Sequence, residues 1–249
     1  MLLPEKSAIV YGAGGAIGGA VARRFAEEGA HVFLAGRTRA SLERTAELVR
    51  ACGGTPEIAE VDALDADAVD RHAAEVVQHV GGLDISFNLI SIGDVQGTAM
   101  AEMDVDDYLR PVVTAVRSNF LTARAAARHM RSGGVILFFG GEGDPPRGYH
   151  LGGLQTAFHA VEAMRRQLAS ELGERGIRTV TLRTGGVPES IPADFERRER
   201  IEQSIEEASL LGRAATLEDV ANVAAFVASD QARTMTAATV NVSAGTLLD

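Results

Sequence analysis

Short apolar runs alternate with amphipathic stretches along the whole chain. Seven runs of six or seven residues predict β-strands at 7–12, 31–36, 57–62, 84–90, 135–140, 177–182 and 239–245. The stretches between them repeat apolar residues at helical spacing and predict helices near 16–28, 39–51 and 65–79, within 105–131, and at 148–173, 194–208 and 217–229. The helix within 148–173 has one apolar face, formed by Leu154, Phe158, Val161, Leu168 and Leu172.

This order of elements predicts the fold class. Strands joined by helices pair in parallel through right-handed crossovers, and strands this continuously apolar are covered on both faces. We therefore expect an α/β fold, a doubly wound (Rossmann-type) parallel sheet of about seven strands with helices on both faces. No linker, repeat or low-complexity tract interrupts the pattern, so residues 1–249 are predicted to form a single domain.

Composition narrows the classes of function. A net charge of −10, without a dense stripe of basic residues, argues against nucleic acid as a partner. No apolar run approaches the roughly 20 residues of a membrane-spanning helix, and the start MLLPEKSAIVYG lacks a basic n-region, so we expect no membrane partner and a cytoplasmic protein. Cys52 is the only cysteine, which excludes an internal disulfide and a cysteine-based zinc cluster, and no metal site is predicted.

A glycine-rich turn lies between the first predicted strand and the first predicted helix. Its glycines are Gly12, Gly14, Gly15, Gly18 and Gly19. Glycine permits positive φ and close approach of the backbone to a ligand, and the following helix N-terminus offers free N–H groups to a pyrophosphate. The turn therefore predicts a dinucleotide site.

The segment YGAGGAIG (11–18) resembles the Thr-Gly-x-x-x-Gly-Ile-Gly motif that opens the short-chain dehydrogenase/reductases, with Ala16 in place of the middle glycine. The resemblance extends to FNLISIG, where the family has Asn-Asn-Ala-Gly, and to GIRTVTLRTGGV, where Thr184 replaces a proline. It continues through the C-terminal LLGRAATLEDVANVAAFVASD and the final glycine. It implies hydride transfer between a nicotinamide and a carbonyl or alcohol.

Family resemblance also implies an assembly and a lid. It predicts a homodimer or homotetramer that pairs through the helices at about 105–131 and 151–173. It places a substrate lid at about 188–212. Within this segment, the charged run at 194–207 predicts the exposed face of a helix, with Ile201 and Ile205 facing inward.

Cofactor-binding positions carried over from the family are Gly12, Gly14, Gly15, Ile17, Gly18, Arg37, Asp62, Asn88, Gly185 and Val187. Gly36 stands where a carboxylate would bind the ribose 2′-hydroxyl, and Arg37 follows it, which favours NADP. Against this, many NADP-using relatives carry a second basic residue where this chain has Gly15. NAD, or no physiological cofactor, therefore stays open as an alternative.

The family's catalytic set is missing from the sequence. Alignment places its tyrosine at Leu154, its lysine at Phe158, its serine at Gly141 and its asparagine at Ala115. The only lysine is Lys6 and the tyrosines are Tyr11, Tyr108 and Tyr149, so no Tyr-x-x-x-Lys exists anywhere. An unperturbed phenol, with a pKa of roughly 10, needs such a cation to transfer protons near neutrality.

Other residues offer weak substitutes. Tyr149, His150 and His159 lie nearest and are the candidate acid/base groups, with Arg147 as a stabilising cation. Glu142 and Asp144 lie in a glycine-rich loop and could contact a ligand, but carboxylates in such loops are usually solvated. Neither Ser91 nor Ser118 has a His/Asp arrangement that would support nucleophilic catalysis.

Two functions therefore remain open from the sequence. The first is an NAD(P)(H)-dependent oxidoreductase with a non-standard proton donor. The second is a catalytically inactive relative that serves as a nucleotide-binding scaffold, a regulatory subunit or a small-molecule-binding module. The sequence does not decide between them, and it names no substrate.

Overall fold

A computed structural model describes residues 1–141, 143 and 149–248. Its strands are β1 (Ser7–Tyr11), β2 (His31–Gly36), β3 (Pro56–Glu60), β4 (Leu83–Asn88), β5 (Met130–Gly140), β6 (Arg178–Arg183) and β7 (Ala238–Asn241). Its α-helices are α1 (Ala16–Glu27), α2 (Arg39–Ala51), α3 (Ala66–Val80), α4 (Val105–His129), α5 (Gly153–Leu172), α6 (Arg198–Ala208) and α7 (Leu217–Ala228).

All seven strands of the described chain form one parallel sheet in the order β3-β2-β1-β4-β5-β6-β7. Helices α1, α2 and α7 cover one face, and helices α3, α4 and α5 cover the other. The predicted doubly wound sheet is therefore confirmed. None of the helices in the described residues is both long enough and apolar enough to cross a membrane.

Element ends differ from those predicted, and each difference has a local cause. Helix α5 begins at Gly153, not near 148, after Gly152 adopts a positive φ of 54° that breaks the helical path. Helix α6 begins at Arg198, not at 194, because the segment before it forms two turns. In these turns the amide of Phe195 donates to the Pro192 carbonyl, and the amide of Arg198 donates to the Phe195 carbonyl. Strand β7 ends at Asn241, since the hydroxyl of Ser243 accepts from the amide of Gly245 and turns the chain.

A buried polar cluster lies between α5 and the sheet, where the sequence pattern predicted only an apolar face. The Arg165 guanidinium donates to the Glu162 carboxylate over 2.7 Å, and the Thr181 hydroxyl donates to the same carboxylate. Burial raises the pKa of Glu162, but hydrogen bonds from Arg165 and Thr181 outweigh it and hold the pKa below its ordinary value. The cluster therefore carries a buried ion pair, which requires both partners.

His72 of α3 is buried against Tyr11, the last residue of β1. The two rings meet edge to face, with centroids 6.1 Å apart. No partner for the His72 Nδ1 atom is found among the described residues. Burial lowers the pKa of His72 to about 4, and the charge of Glu57 opposes this shift only in part.

This histidine predicts a pH-dependent stability. The unfolded chain binds a proton at His72 below the ordinary pKa of 6.5, whereas the folded protein does not until about pH 4. The free energy of unfolding should therefore be at its full value above pH 6.5 and fall by roughly 3 kcal/mol as pH drops to 4 through this group. Urea unfolding across this range should show a flatter profile for His72→Phe. An unchanged slope in His72→Phe, or the same flattening in His159→Phe, would contradict it.

Candidate functional site

The predicted site residues converge on the carboxyl edge of the sheet. The strand order reverses between β1 and β4, which creates a crevice at that point. The turn after β1 carries Gly12, β4 ends at Asn88, and the turn after β6 carries Gly185. Arg37 and Asp62 follow β2 and β3 at the same edge. The topology thus brings the sequence-predicted residues to one side of the molecule.

Two glycines of this region, Gly12 and Gly18, are packed too tightly to carry a side chain. Gly12 has a φ of 76°, and a Cβ there would lie 2.5 Å from the carbonyl oxygen of Leu89. A Cβ on Gly18 would overlap the carbonyl oxygen of Gly12. These two glycines therefore hold α1 close against the turn and against the loop after β4.

The N-terminus of α1 is open to an anion. Its N-cap is Gly15, which has no side chain to cap the helix, and the first turn, described in full, carries no acidic residue. The first amides of a helix have no intrahelical acceptor, and the helix dipole makes this end positive. The start of α1, including Ile17, can thus bind a phosphate group through its backbone.

The end of β2 presents a free cation. Arg37 is exposed, and no acidic side chain pairs with it within residues 1–141, 143 and 149–248. Its neighbour Arg39 instead pairs with Glu43 over 3.1 Å and with Glu60 over 3.8 Å. Nearby, a cavity of about 670 Å³ runs between α1 and α2 and is lined by Gly14, Gly15, Arg23, Ser41 and Arg44, among others.

The side chains of Asp62 and Asn88 differ in burial and in hydrogen bonding. Asp62 is exposed and accepts the Leu64 amide over 3.0 Å. Asn88 is buried; it donates to the Ser118 hydroxyl over 3.1 Å and accepts the Ile90 amide over 3.2 Å. The Asn88 side chain therefore fixes the loop after β4 to α4.

The segment after β6 closes the other side of the crevice. A Cβ on Gly185 would overlap the hydroxyl of Thr246, so the C-terminal segment lies directly on this turn. Val187 is buried in the core. A Cβ on Gly186 would lie 2.8 Å from the buried side chain of Ile205, which brings α6 over the same region, while Ile201 is half-buried. Ile205 and the C-terminal segment thus wall the cleft.

The four positions that the sequence alignment assigns to the family's catalytic set carry a hydrocarbon side chain or none. Leu154 and Phe158 are half-buried on α5, and a Cβ on Gly141 would lie 3.4 Å from the Phe158 ring. Ala115 is 2% exposed, and its carbonyl accepts from the Asn119 amide group over 2.9 Å. That these positions correspond to the family's catalytic residues stays a prediction from the sequence.

The weak substitutes are separated from one another. The Tyr149 hydroxyl is hydrogen-bonded to the Ser204 hydroxyl of α6, and His150 is exposed. His159 is exposed and its Nδ1–H donates to the Gln155 carbonyl of its own helix over 2.8 Å. Arg147, Glu142 and Asp144 lie outside the described residues.

The two candidate serines have no catalytic arrangement in the described chain. Ser91 is exposed in the loop after β4. Ser118 is buried and is engaged by Asn88 and by the carbonyl of Ala115.

Two residues near the site were missed by the sequence analysis. Gln155 spans the turn after β5: its amide donates to the Gly141 carbonyl over 3.1 Å and its oxygen accepts the Gly143 amide over 3.3 Å. Arg183 is a buried cation at the last position of β6. A charged residue at the end of an otherwise apolar strand was the available signal for Arg183, whereas nothing local marks Gln155.

Comparison with known proteins gives consistent matches over nearly the whole chain. A family model described as "Enoyl-(Acyl carrier protein) reductase" matches residues 12–246. The L-rhamnose 1-dehydrogenase (NAD(P)(+)) of Azotobacter vinelandii is 31% identical, and the match covers 98% of each protein.

Solved structures give the same picture. A short-chain dehydrogenase/reductase from Serratia marcescens is 28% identical with a TM-score of 0.88 over 100% of both chains. A short chain dehydrogenase from Burkholderia cenocepacia, in complex with NADP, is 25% identical with a TM-score of 0.87 over 99% of both chains.

The glycine-rich turn predicts a contrast between two alanine substitutions. Gly12→Ala places a Cβ at positive φ against Leu89 and should lower the free energy of unfolding by about 2–4 kcal/mol. Gly15→Ala meets only an ordinary contact of 3.4 Å with the Gly12 carbonyl and should change it by less than about 1 kcal/mol. Urea denaturation of both variants measures the difference. Equal losses in the two variants would contradict this account of the turn.

Proposed function

Because the chain belongs to the short-chain dehydrogenase/reductase family, we propose that it is an NADP(H)-binding protein that has given up the family's tyrosine-based proton transfer. The observation that carries this proposal is the contrast within one cleft. The start of α1 keeps an open, uncapped end beside a glycine-rich turn, while hydrocarbon side chains, Leu154 and Phe158, occupy the positions that align with the family's tyrosine and lysine.

The residues at the sheet edge fit a dinucleotide. The amides at the start of α1, beside Gly14 and Gly15, would hold the pyrophosphate, and the tight packing at Gly12 and Gly18 keeps them in place. Gly185 and Val187 would border the nicotinamide end. Asp62 would face the adenine, and Asn88 supports the loop between them. When bound, NADP(H) supplies a hydride donor or acceptor.

The end of β2 supports NADP over NAD. Gly36 offers no carboxylate to repel a 2′-phosphate, and Arg37 is an exposed cation with no acidic partner in the described part of the chain. A guanidinium binds a phosphate through paired hydrogen bonds. The Burkholderia relative was solved with NADP, which is consistent with this choice.

Proton transfer is the step for which the aligned positions on α4 and α5 lack groups. A carbonyl that receives a hydride needs its developing negative charge stabilised by a positioned acid or cation. Leu154 and Phe158 provide neither, and the Ala115 carbonyl already accepts from Asn119. We therefore propose that the pocket beside the cofactor binds a small molecule without efficient turnover, as in a scaffold, regulatory subunit or binding module.

A second function is favoured by one observation. Tyr149 is half-buried and pairs with Ser204 of α6, the helix over the cleft. The other two tyrosines are engaged elsewhere, since Tyr11 of β1 is buried against His72 and Tyr108 bonds to Thr156. An oxidoreductase that uses Tyr149 as its acid is thus the alternative proposal.

Assembly and location remain proposals as well. We expect a homodimer or homotetramer that pairs through α4 and α5, because α4 exposes the apolar side chains of Leu109, Val113 and Phe120. A cytoplasmic location stays a prediction from the sequence.

Arg37 gives a test of the cofactor. Titration by nicotinamide fluorescence should show tighter binding of NADPH than of NADH. Arg37→Ala should weaken NADPH binding by about 10-fold, because a charge-assisted pair is lost, and leave NADH binding nearly unchanged. Arg39→Ala is the matched control, since Arg39 already pairs with Glu43 and Glu60. Equal affinities for both dinucleotides in the wild type would contradict the choice of NADP.

Restoring the catalytic set gives a test of the lost proton transfer. NADPH-saturated wild-type protein should show no oxidation of NADPH above background across a panel of aldehydes and ketones. The variant Ala115→Asn/Gly141→Ser/Leu154→Tyr/Phe158→Lys should gain at least about 100-fold, the range that a positioned acid contributes.

The same four-site variant with Leu154→Phe instead of Leu154→Tyr is its control, because it lacks only the phenol hydroxyl. Substrate-dependent turnover by the wild type would contradict the main proposal. If that turnover disappeared in Tyr149→Phe, it would establish the alternative.

A further inference from the structure

A cavity of about 670 Å³ lies beside the glycine-rich turn and reaches the first turns of α2. Gly14 and Gly15 line it from the turn, and Ser41 and Arg44 line it from α2. Neither glycine contributes a side chain, so this wall of the cavity consists of backbone. Because α2 begins at Arg39, the cavity adjoins the end of β2, where a dinucleotide bound to this fold places its adenosine ribose.

Helix α2 is fixed against the glycine-rich turn. The buried hydroxyl of Thr45 donates to the Ala13 carbonyl over 2.8 Å. A Cβ on Gly14 would overlap the hydroxyl of Ser41, so Ser41 lies directly on the turn. Arg44 follows Ser41 by three residues and therefore lies on the same face of the helix. The turn and the stem of Arg44 are thus held on facing walls of one cavity.

The guanidinium of Arg44 extends back toward the start of α2. Its Nη1 atom donates to the Ala40 carbonyl, one helical turn earlier, over 3.3 Å. This contact brings the charge to the end of the cavity that adjoins Ser41 and the glycine-rich turn. It uses one of the five N–H donors of the side chain, which leaves the others for a ligand.

The other arginine that lines the cavity is already paired. Arg23 of α1 donates to the Glu27 carboxylate of the same helix over 2.6 Å. In contrast, no acidic side chain of the described chain lies within ion-pairing distance of Arg44. Arg44 is also exposed, so a solute can reach it. The charge of Arg44 can therefore serve a ligand, whereas that of Arg23 is already compensated.

Three carboxylates line other parts of the cavity. Glu189 and Glu218 lie at the start of α7, where the Glu189 carboxylate accepts the Leu217 amide over 2.7 Å. Helix α1 packs against α7 as well as α2, and these two acids stand on the α7 side. Glu47 follows Arg44 by three residues, about one turn farther from the sheet edge. Electrostatic attraction therefore directs an anion to the end of the cavity beside Arg44.

A phosphate monoester can accept from two guanidinium groups at once. It has three terminal oxygens and close to two negative charges near neutrality, and one guanidinium binds two of these oxygens through parallel hydrogen bonds. Arg37 lies just before the start of α2 and Arg44 lies just after its first turn. Neither has an acidic partner in the ranges 1–141, 143 and 149–248, and the first turn of α2 contains no acidic residue.

We propose that Arg44 binds the 2′-phosphate of NADP(H) together with Arg37. This inference rests on the proposed function, because it concerns the same dinucleotide. It assigns to α2 a cation that the backbone wall at Gly14 and Gly15 does not provide. Selection for the 2′-phosphate then depends on a helix residue in addition to the end of β2.

Isothermal titration of the whole protein with adenosine 2′,5′-bisphosphate and with adenosine 5′-monophosphate tests the proposal. The two probes differ only in the 2′-phosphate. Wild-type protein should bind the bisphosphate at least about 10-fold more tightly. Arg44→Met should lower this ratio by about 5-fold, because one exposed charge-assisted contact is lost, and should leave the affinity for the monophosphate nearly unchanged.

Arg50→Met is the matched control. It removes one exposed positive charge from the same helix, but Arg50 lies in the last turn of α2 and does not line the cavity. It should keep the wild-type ratio. An equal decrease in Arg50→Met would show a general effect of net charge and would overturn the role of Arg44.

The outcomes separate this inference from the choice of cofactor. If the wild type prefers the bisphosphate and Arg44→Met keeps that preference, or weakens both probes equally, the inference fails while NADP remains the proposed cofactor through Arg37. If the wild type binds both probes equally, the inference and the choice of NADP fail together. Should Arg44→Met not fold, Arg44→Gln takes its place and the same ratio decides.

Discussion

The contact between the glycine-rich turn and the first helix sets the geometry of the ligand edge. Gly18 of α1 lies on the carbonyl of Gly12, and Gly12 lies against the backbone of Leu89 in the loop after β4. A side chain at either glycine would push three elements apart. With hydrogen in place of a side chain, α1 begins at the crevice between β1 and β4 and directs its unpaired amides there. The proposed dinucleotide site is organised around this contact.

The sequence predicted those features that depend on a repeating pattern. Apolar periodicity predicted the seven strands, their parallel pairing and the helices on both faces, because burial on a sheet or helix face imposes a fixed spacing. Periodicity did not predict where α5 and α6 begin or where β7 ends. These ends depend on single hydrogen bonds and on the positive φ of Gly152, which no average over a window of residues detects.

Polar residues inside the core are where sequence reasoning was least informative. A helical pattern assigns Glu162 and Arg165 to the solvent side, yet both are buried. Hydroxyls of Thr181 and Thr239 donate to the Glu162 carboxylate and stabilise the buried pair. These threonines lie about 20 and 80 residues further along the chain, and only the folded sheet brings them close to Glu162. The engagement of Asn88 by Ser118 escaped prediction for the same reason.

The proposed separation of binding from catalysis is possible because the two use different parts of the chain. The proposed cofactor contacts come largely from backbone amides and from glycines, which do not depend on the residues at 115, 141, 154 and 158. Catalysis in the family depends on four side chains from three elements, and loss of one alters what the others can do. A tyrosine beside Phe158 would have no ammonium to lower its pKa, so joint replacement is chemically consistent.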